Sequence, residues 1–116
     1  MQDFQLLLSE PDMGVLELRL AGEVDMATVA PLRETAATAV ASGDYDCMVL
    51  DLTGVSFMDS SGLHVLVETQ RAMTAAGREM KVVCSSGNLL KIFELTGLDR
   101  VLTIVSDRSE AFAVAA

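Results

Sequence analysis

The stretch Leu52-Thr53-Gly54-Val55-Ser56-Phe57-Met58-Asp59-Ser60-Ser61-Gly62-Leu63 gathers the residues of this chain best suited to chemistry. It sets two hydroxyls and a glycine where an apolar strand hands over to a helix. Free N–H groups at a helix start favour negative charge, so a phosphate on a serine there would be partly neutralised. In open α/β sheets, strand-to-helix loops are also where ligands and partners meet the fold. From chemistry alone the same residues read more simply as a well-formed helix cap and tight turn, with Ser60 and Ser61 competing for the cap. Both readings stay open at this point.

Other chemistries find less support. A serine hydrolase needs a nucleophile, a base and an orienting acid. His64 is the only histidine, and Met58 occupies the first glycine position of a G-x-S-x-G nucleophile elbow. Asp51, at the end of an apolar strand, invites comparison with phospho-accepting receiver domains. Those place an acidic cluster on a neighbouring strand to hold magnesium, whereas Arg19 and Leu20 end the nearest candidate here. Asp51 is therefore expected to be satisfied by backbone N–H groups. One histidine and two separated cysteines do not make a zinc set, and no G-x-G-x-x-G or Walker sequence occurs. No cofactor and no metal are expected, and the chain does not read as an enzyme.

The elements that must position Ser60 follow from periodicity. Phe4 to Ser9 reads as a strand, broken by the turn-rich Glu10-Pro11-Asp12-Met13-Gly14. Val15 to Leu20 alternates, with Leu16, Leu18 and Leu20 on one face and Glu17 and Arg19 on the other. That is a half-exposed strand antiparallel to the first. Ala21 to Thr28 is read as a connection. The helix after it carries Val29, Leu32, Ala36 and Val40 at helical spacing. Pro31 confines its start to the first turn, which favours Thr28 over Asp25 as cap, and Gly43 closes it.

Cys47 to Leu52 is apolar apart from Asp51, the mark of a strand covered on both faces, and Thr53 to Asp59 is read as the loop beyond it. The second helix has Leu63, Leu66 and Val67 as its inner stripe and ends at Ala75-Ala76-Gly77. Met80 to Cys84 is another buried strand. Ser85 or Ser86 caps a third helix carrying Leu89, Ile92 and Phe93, stopped by Gly97. Val101 to Val105 is a last strand, and Asp107 with Glu110 starts a short Ala-rich helix. Strand and helix alternate from Cys47 onward, which implies parallel strands joined by right-handed crossovers. Cys47 opens one strand and Cys84 closes the next, about three residues or ~10 Å apart, so no disulfide is expected.

Length and charge set the outer bounds. The 116 residues fit one domain over 1–116, and a 51% hydrophobic content with no Trp and a single Tyr points to an aliphatic core. Eight basic residues against seventeen acidic ones give a formal charge of −9. Nucleic acid and anionic membranes both call for the opposite balance, so neither is an expected partner. A protein with a basic docking face is the natural complement. The start of the chain shows no basic and apolar export pattern, and no apolar run approaches the roughly 18 residues of a membrane span. A cytoplasmic setting with reduced cysteines is expected.

Val49-Leu50-Asp51-Leu52-Thr53-Gly54-Val55, running into Phe57-Met58-Asp59-Ser60-Ser61-Gly62-Leu63, resembles the signature of sulfate transporter and anti-sigma factor antagonist (STAS) domains. Gly22-Glu23-Val24-Asp25 matches a second motif of that family and Leu90-Lys91-Ile92-Phe93-Glu94-Leu95-Thr96-Gly97-Leu98 a third. The likeness is greatest to the free-standing bacterial antagonists. It implies an α/β fold: a mixed sheet of four to five strands with a parallel core, and about four helices mainly on one face.

The resemblance also implies a partner switch. An unmodified antagonist docks onto an anti-sigma factor, an ATP-binding serine kinase, and so frees a sigma factor. Phosphorylation of the serine after the motif's Asp, here Ser60, dissociates the pair, and a serine phosphatase resets it. Asp59 and Asp25 match acidic positions near the acceptor, and Ser61 and Gly62 complete the motif. Met58, Leu63 and the turn from Gly22 to Met26 are expected to line the docking face. Many relatives carry a small residue where this chain has His64. Its ring is expected to restrict partner choice, to pair with the phosphate when charged, or simply to face solvent. The alternative client for such a domain is a lipid-transport or stress-signalling complex.

Overall fold

The computed structural model describes residues 3–112. Five strands form one sheet in the order β1-β2-β3-β4-β5, with β1 (Gln5–Asp12) antiparallel to β2 (Val15–Val24) and the remaining pairs parallel. The turn at Asp12–Gly14 and the crossovers through α1 (Val29–Ser42), α2 (Ser60–Ala75) and α3 (Gly87–Thr96) produce this order directly. The third strand, β3 (Cys47–Met58), lies between β2 and β4 (Glu79–Val83). Burial on both faces is why it reads as a nearly unbroken apolar run. The chain forms the α/β fold its alternation predicts.

The main core lies between the sheet and α1, α2 and α3. Leu16, Leu18 and Leu20 of β2 meet Met48, Leu50 and Leu52 of β3 there, under Leu32 of α1, Leu66 of α2 and Phe93 of α3. A smaller cluster on the opposite face joins Val49 and Val83 to Ala111 of α4 (Arg108–Ala111). Three helices thus share one face and a short fourth takes the other.

Several expectations need correction. The strands run longer than their apolar cores: β2 extends through Gly22 and Glu23 to Val24, and β3 through Thr53 to Met58. Segments read as connections are therefore paired backbone, with Val24 beside Met58. The reason is mutual hydrogen bonding, which holds Gly- and Ser-containing stretches extended regardless of side chain. Conversely, the expected strand over Val101 to Val105 shrinks to β5 (Ile104–Val105), preceded by a 3-10 turn over Leu98–Arg100. Here Leu102 bonds back to Leu98 and goes into the core. The inner stripe of α2 is Val65, Leu66, Thr69 and Met73, with Leu63 and Val67 only half-buried.

Thr28 precedes α1 but does not cap it with its side chain. Instead, the Asp25 carboxylate accepts from the Ala27 and Thr28 N–H groups, and Thr28 Oγ1 accepts from the Asp25 N–H and donates to the Glu23 carbonyl. Asp25 is the residue that turns the chain here, because an extra turn intervenes before the helix. Ser86 likewise precedes α3 without a side-chain cap bond, whereas Gly43 and Gly97 close their helices in the left-handed conformation as expected. The Asp107 carboxylate accepts from the Ser109 N–H, so α4 starts as read, with Glu110 turned to Ser106. The expected Ala-rich continuation, residues 113–116, lies outside the described residues.

Both cysteines are free. Their separation is larger than the spacing suggested, since Cys47 aligns with Glu79, five residues before Cys84, or roughly 16 Å of strand. Burial pushes both thiols up from their ordinary value, so they stay protonated.

The largest departure concerns Glu17. Alternation predicts an exposed side chain, but it is 1% exposed. Arg108 of α4 covers it, donating from Nε and Nη2 to its two carboxylate oxygens at 2.5 and 2.7 Å. Ser9 donates to it as well, and the Arg108 guanidinium stacks 4.7 Å from the Phe112 ring centroid. Arg19 adds a looser contact to Glu17 at 3.8 Å and reaches Asp51 at 3.6 Å. Asp51 itself accepts from the backbone N–H and the hydroxyl of Thr53. One backbone donor, a hydroxyl and a cation therefore satisfy it, where backbone donors alone were expected.

Candidate functional site

The parallel pairing of β2 and β3 brings the two acidic motifs together. Val24 and Met58 are register partners, so Asp25 and Asp59 leave the sheet side by side, one toward α1 and the other into α2. The Asp59 N–H donates to the Val24 carbonyl at 3.0 Å, which extends the pairing one step past the strand.

Asp59 caps α2, displacing both serines from that role. Its Oδ1 accepts from the N–H groups of Ser61 (2.8 Å) and Gly62 (3.4 Å), and its carbonyl accepts from Leu63 N–H. Its other oxygen, Oδ2, accepts from Met26 N–H at 3.2 Å and ties the β2–α1 turn to the start of α2. One carboxylate thus fixes both halves of the site. A cap with an extended backbone and an acidic side chain is the favoured arrangement at a helix start.

Because Asp59 does this work, Ser60 becomes the first helical residue. Its side chain is exposed and, among the described residues, its hydroxyl makes no hydrogen bond. Ser61, one step on, is half-buried. Of the two serines, Ser60 is therefore the more exposed beside the helix terminus.

The remaining residues divide between support and surface. Met58 is 2% exposed, and this corrects its expected place on the docking face. Its side chain points inward because strand alternation puts Phe57 outward in its stead, 48% exposed. Gly62 is buried as well. A Cβ there would lie 2.6 Å from Met58 Cγ and 2.9 Å from Val24 Cγ1, so glycine lets α2 sit on the ends of β2 and β3. Leu63 is half-buried and packs against the main core, while Met26 stands 81% exposed on its turn. His64 is exposed and its Nε2 meets Glu68 one turn along α2. It therefore faces solvent, one of the three roles expected of it, with Glu68 as a local partner.

Phe57 is the surface residue the sequence reading passed over. Simple alternation would not have found it: the β2–β3 register shifts along this stretch, and Val55, two residues earlier, is buried while Phe57 is exposed.

A mixed sheet with an Asp-Ser-Ser-Gly turn at the end of its central strand makes this a single α/β domain. The STAS domain model matches residues 9–111, and the chain belongs to that family. Among curated relatives, it is 33% identical over 88 residues to an anti-sigma-B factor antagonist of Staphylococcus aureus, covering 76% of this chain and 81% of that protein. The corresponding antagonist of Listeria monocytogenes is 30% identical over 103 residues, covering 89% and 90%. Among solved structures, an anti-sigma factor antagonist from Mycobacterium paratuberculosis superposes with a TM-score of 0.84 at 28% identity, covering 94% of this chain and 91% of that one. These relatives are named for antagonism of a regulatory factor, not for a catalysed reaction. Among the described residues, no helix is long and apolar enough to cross a membrane.

Proposed function

We propose that this protein is an anti-sigma factor antagonist that docks onto an anti-sigma factor kinase while Ser60 is unmodified and is released when Ser60 is phosphorylated. The observation that carries this reading is the free, exposed Ser60 hydroxyl at the start of α2, spared from capping by Asp59. A kinase can reach it without unfolding the helix. The family resemblance supplies the partner: a cytoplasmic, ATP-binding serine kinase that otherwise holds a sigma factor, with a serine phosphatase restoring the unmodified form.

The electrostatics support a release mechanism. A phosphate adds −1.5 to −2 charges immediately beside Asp59 and near Asp25. In the free protein that charge is solvated and partly met by the α2 terminus, a contribution of roughly 0.3–1 kcal/mol. In a closed contact it loses water and meets two carboxylates. Each 1.4 kcal/mol is tenfold in affinity, so a penalty of a few kcal/mol empties the complex. Phe57 and Met26 supply the apolar part of the face, with Leu63 at its margin; Met58 and Gly62 hold the face up from beneath.

The test is incubation with candidate anti-sigma kinases and ATP, followed by mapping of the modified residue. Label on Ser60, absent from Ser60→Ala, is expected, and Ser61→Ala should still be labelled. Ser60→Ala should remain bound to the kinase in the presence of ATP, and Ser60→Asp should bind at least tenfold more weakly with its fold intact. Equal binding of the two variants would refute the electrostatic account.

A further inference from the structure

A groove of about 480 Å³ opens between α1 and the β1–β2 hairpin, within the size range that ligand sites occupy. Its floor is apolar: Leu16 and Ala39 are buried, and Tyr45 forms one wall. Leu8, on the neighbouring strand, leaves 55% of its surface uncovered beside them. Glu34 and Asp44 stand at the rim, and none of the lining residues is a lysine or arginine. The Tyr45 hydroxyl donates to Glu10 at 2.7 Å, which fixes the wall and brings a third carboxylate to the same end of the molecule.

We propose that this groove is a second docking surface, taking a cationic amphipathic segment of a partner protein. The occupant follows from the lining. A large aliphatic side chain fills the Leu8–Leu16–Ala39 floor, while Lys or Arg flanking it meets Glu34, Asp44 and Glu10. Another copy of this chain, with its formal charge of −9, would bring like charge to an acidic rim, so charge complementarity favours a basic partner.

The floor of the groove at Leu16 lies toward the far end of the sheet from Ser60, and Glu34, in the first half of α1, is the lining residue nearer to it. Leu16 pairs with Met48, and β3 runs ten residues farther before reaching Met58, roughly 30 Å of strand. Screening over about 8 Å at physiological salt separates that floor from the charge on Ser60. Occupancy of the groove is therefore independent of the charge on Ser60, and the protein can hold a second partner in either state of the switch.

The experiment is an NMR titration of the full chain with a short amphipathic peptide of Leu and Lys, alongside its Leu and Glu counterpart. Shifts confined to Leu8, Leu16, Ala39 and Tyr45 with the Lys peptide, and none with the Glu peptide, are expected. Thr38→Trp, which places a ring in the groove from an exposed helix position, should abolish those shifts. Ala41→Trp, also exposed but facing away from the groove, should leave them unchanged. Glu34→Lys with Asp44→Lys should weaken binding about tenfold, and Ser60→Asp should leave it as it is. Undiminished binding by Thr38→Trp, or shifts spread over the acidic surface or centred on Ser60, would overturn the proposal. So would a concentration-dependent dimer that Thr38→Trp dissolves, since the groove would then belong to a second copy. Because Ser60 variants are silent here, failure of this proposal is separable from failure of the phosphorylation switch.

Discussion

Asp59 and Glu17 are both fixed carboxylates of the same sheet, but they are satisfied in opposite ways. Asp59 takes its partners from backbone N–H groups at the surface: Ser61 and Gly62 next to it, and Met26 on the adjoining turn. Glu17 takes its main partner from a side chain 91 residues away and is sealed from water. A carboxylate held by local backbone leaves neighbouring side chains free for exchange with other molecules. One held by a distant cation is committed to the fold. The proposed switch end and the ionic seam under α4 therefore differ in what mutation should do: substitutions at the first are expected to change binding, those at the second stability.

Breaking the seam should produce the largest effect. Arg108→Ala leaves the Glu17 carboxylate without its main partner, and loss of one member of a buried pair costs several kcal/mol. Arg108 is itself 40% exposed, so water can partly replace it, and about 2–3 kcal/mol is expected, read as a lower urea midpoint. The same seam has a pH signature. Arg108's hydrogen bonds hold the Glu17 carboxyl below its ordinary 4.5, outweighing the opposing effect of burial. A depressed carboxyl stabilises the fold above its unfolded value and loses that contribution as pH falls through the lower folded value. Stability should therefore decline with acid from about pH 4.5 downward, and Glu17→Gln should flatten that part of the profile.

Gly62→Ala comes next. The added carbon must displace Met58 and Val24, and overpacking of this kind costs typically 1–3 kcal/mol. About 2 kcal/mol by thermal or urea unfolding is expected, along with weaker partner binding as the start of α2 lifts from the sheet. Asp59→Ala should lose about 1 kcal/mol with the cap. Asp59→Asn keeps the cap geometry and removes the charge, so it should restore most of that stability while lessening repulsion toward a phosphate on Ser60. If Asn and Ala lowered stability equally, capping would not be the role of Asp59.

Ser60→Asp stands at the small end. An exposed, unbonded side chain should change stability by no more than about 0.5 kcal/mol, even where partner binding collapses. A large loss of stability from Ser60→Asp would erase the contrast between the two carboxylates and make the switch a folding defect.

Much of this architecture was legible in the chain. Alternation in β2, the apolar run of β3 and the helical spacing of Val29, Leu32 and Ala36 were enough for the elements and their parallel order. The Asp-Ser-Ser-Gly motif marked the candidate site. What escaped was pairing beyond the apolar cores, and with it Phe57, because extended backbone at Gly22–Val24 and Thr53–Met58 is held by hydrogen bonds between two strands, which side-chain patterns do not encode.

Caps were misjudged for a related reason. Ser60 and Ser61 have good capping side chains, yet the extra β3 residues shift the helix start so that Asp59 meets the free N–H groups first. Sequence by itself determined which segments must be strands and helices, since burial of an apolar face depends on local periodicity. Only the tertiary structure decided that Glu17 is inside, that Ser60 is free and that Met58 is covered. Each of those outcomes depends on a group brought close by the folding of remote segments, and the energy of a charge or hydroxyl is set by what stands within a few ångströms of it.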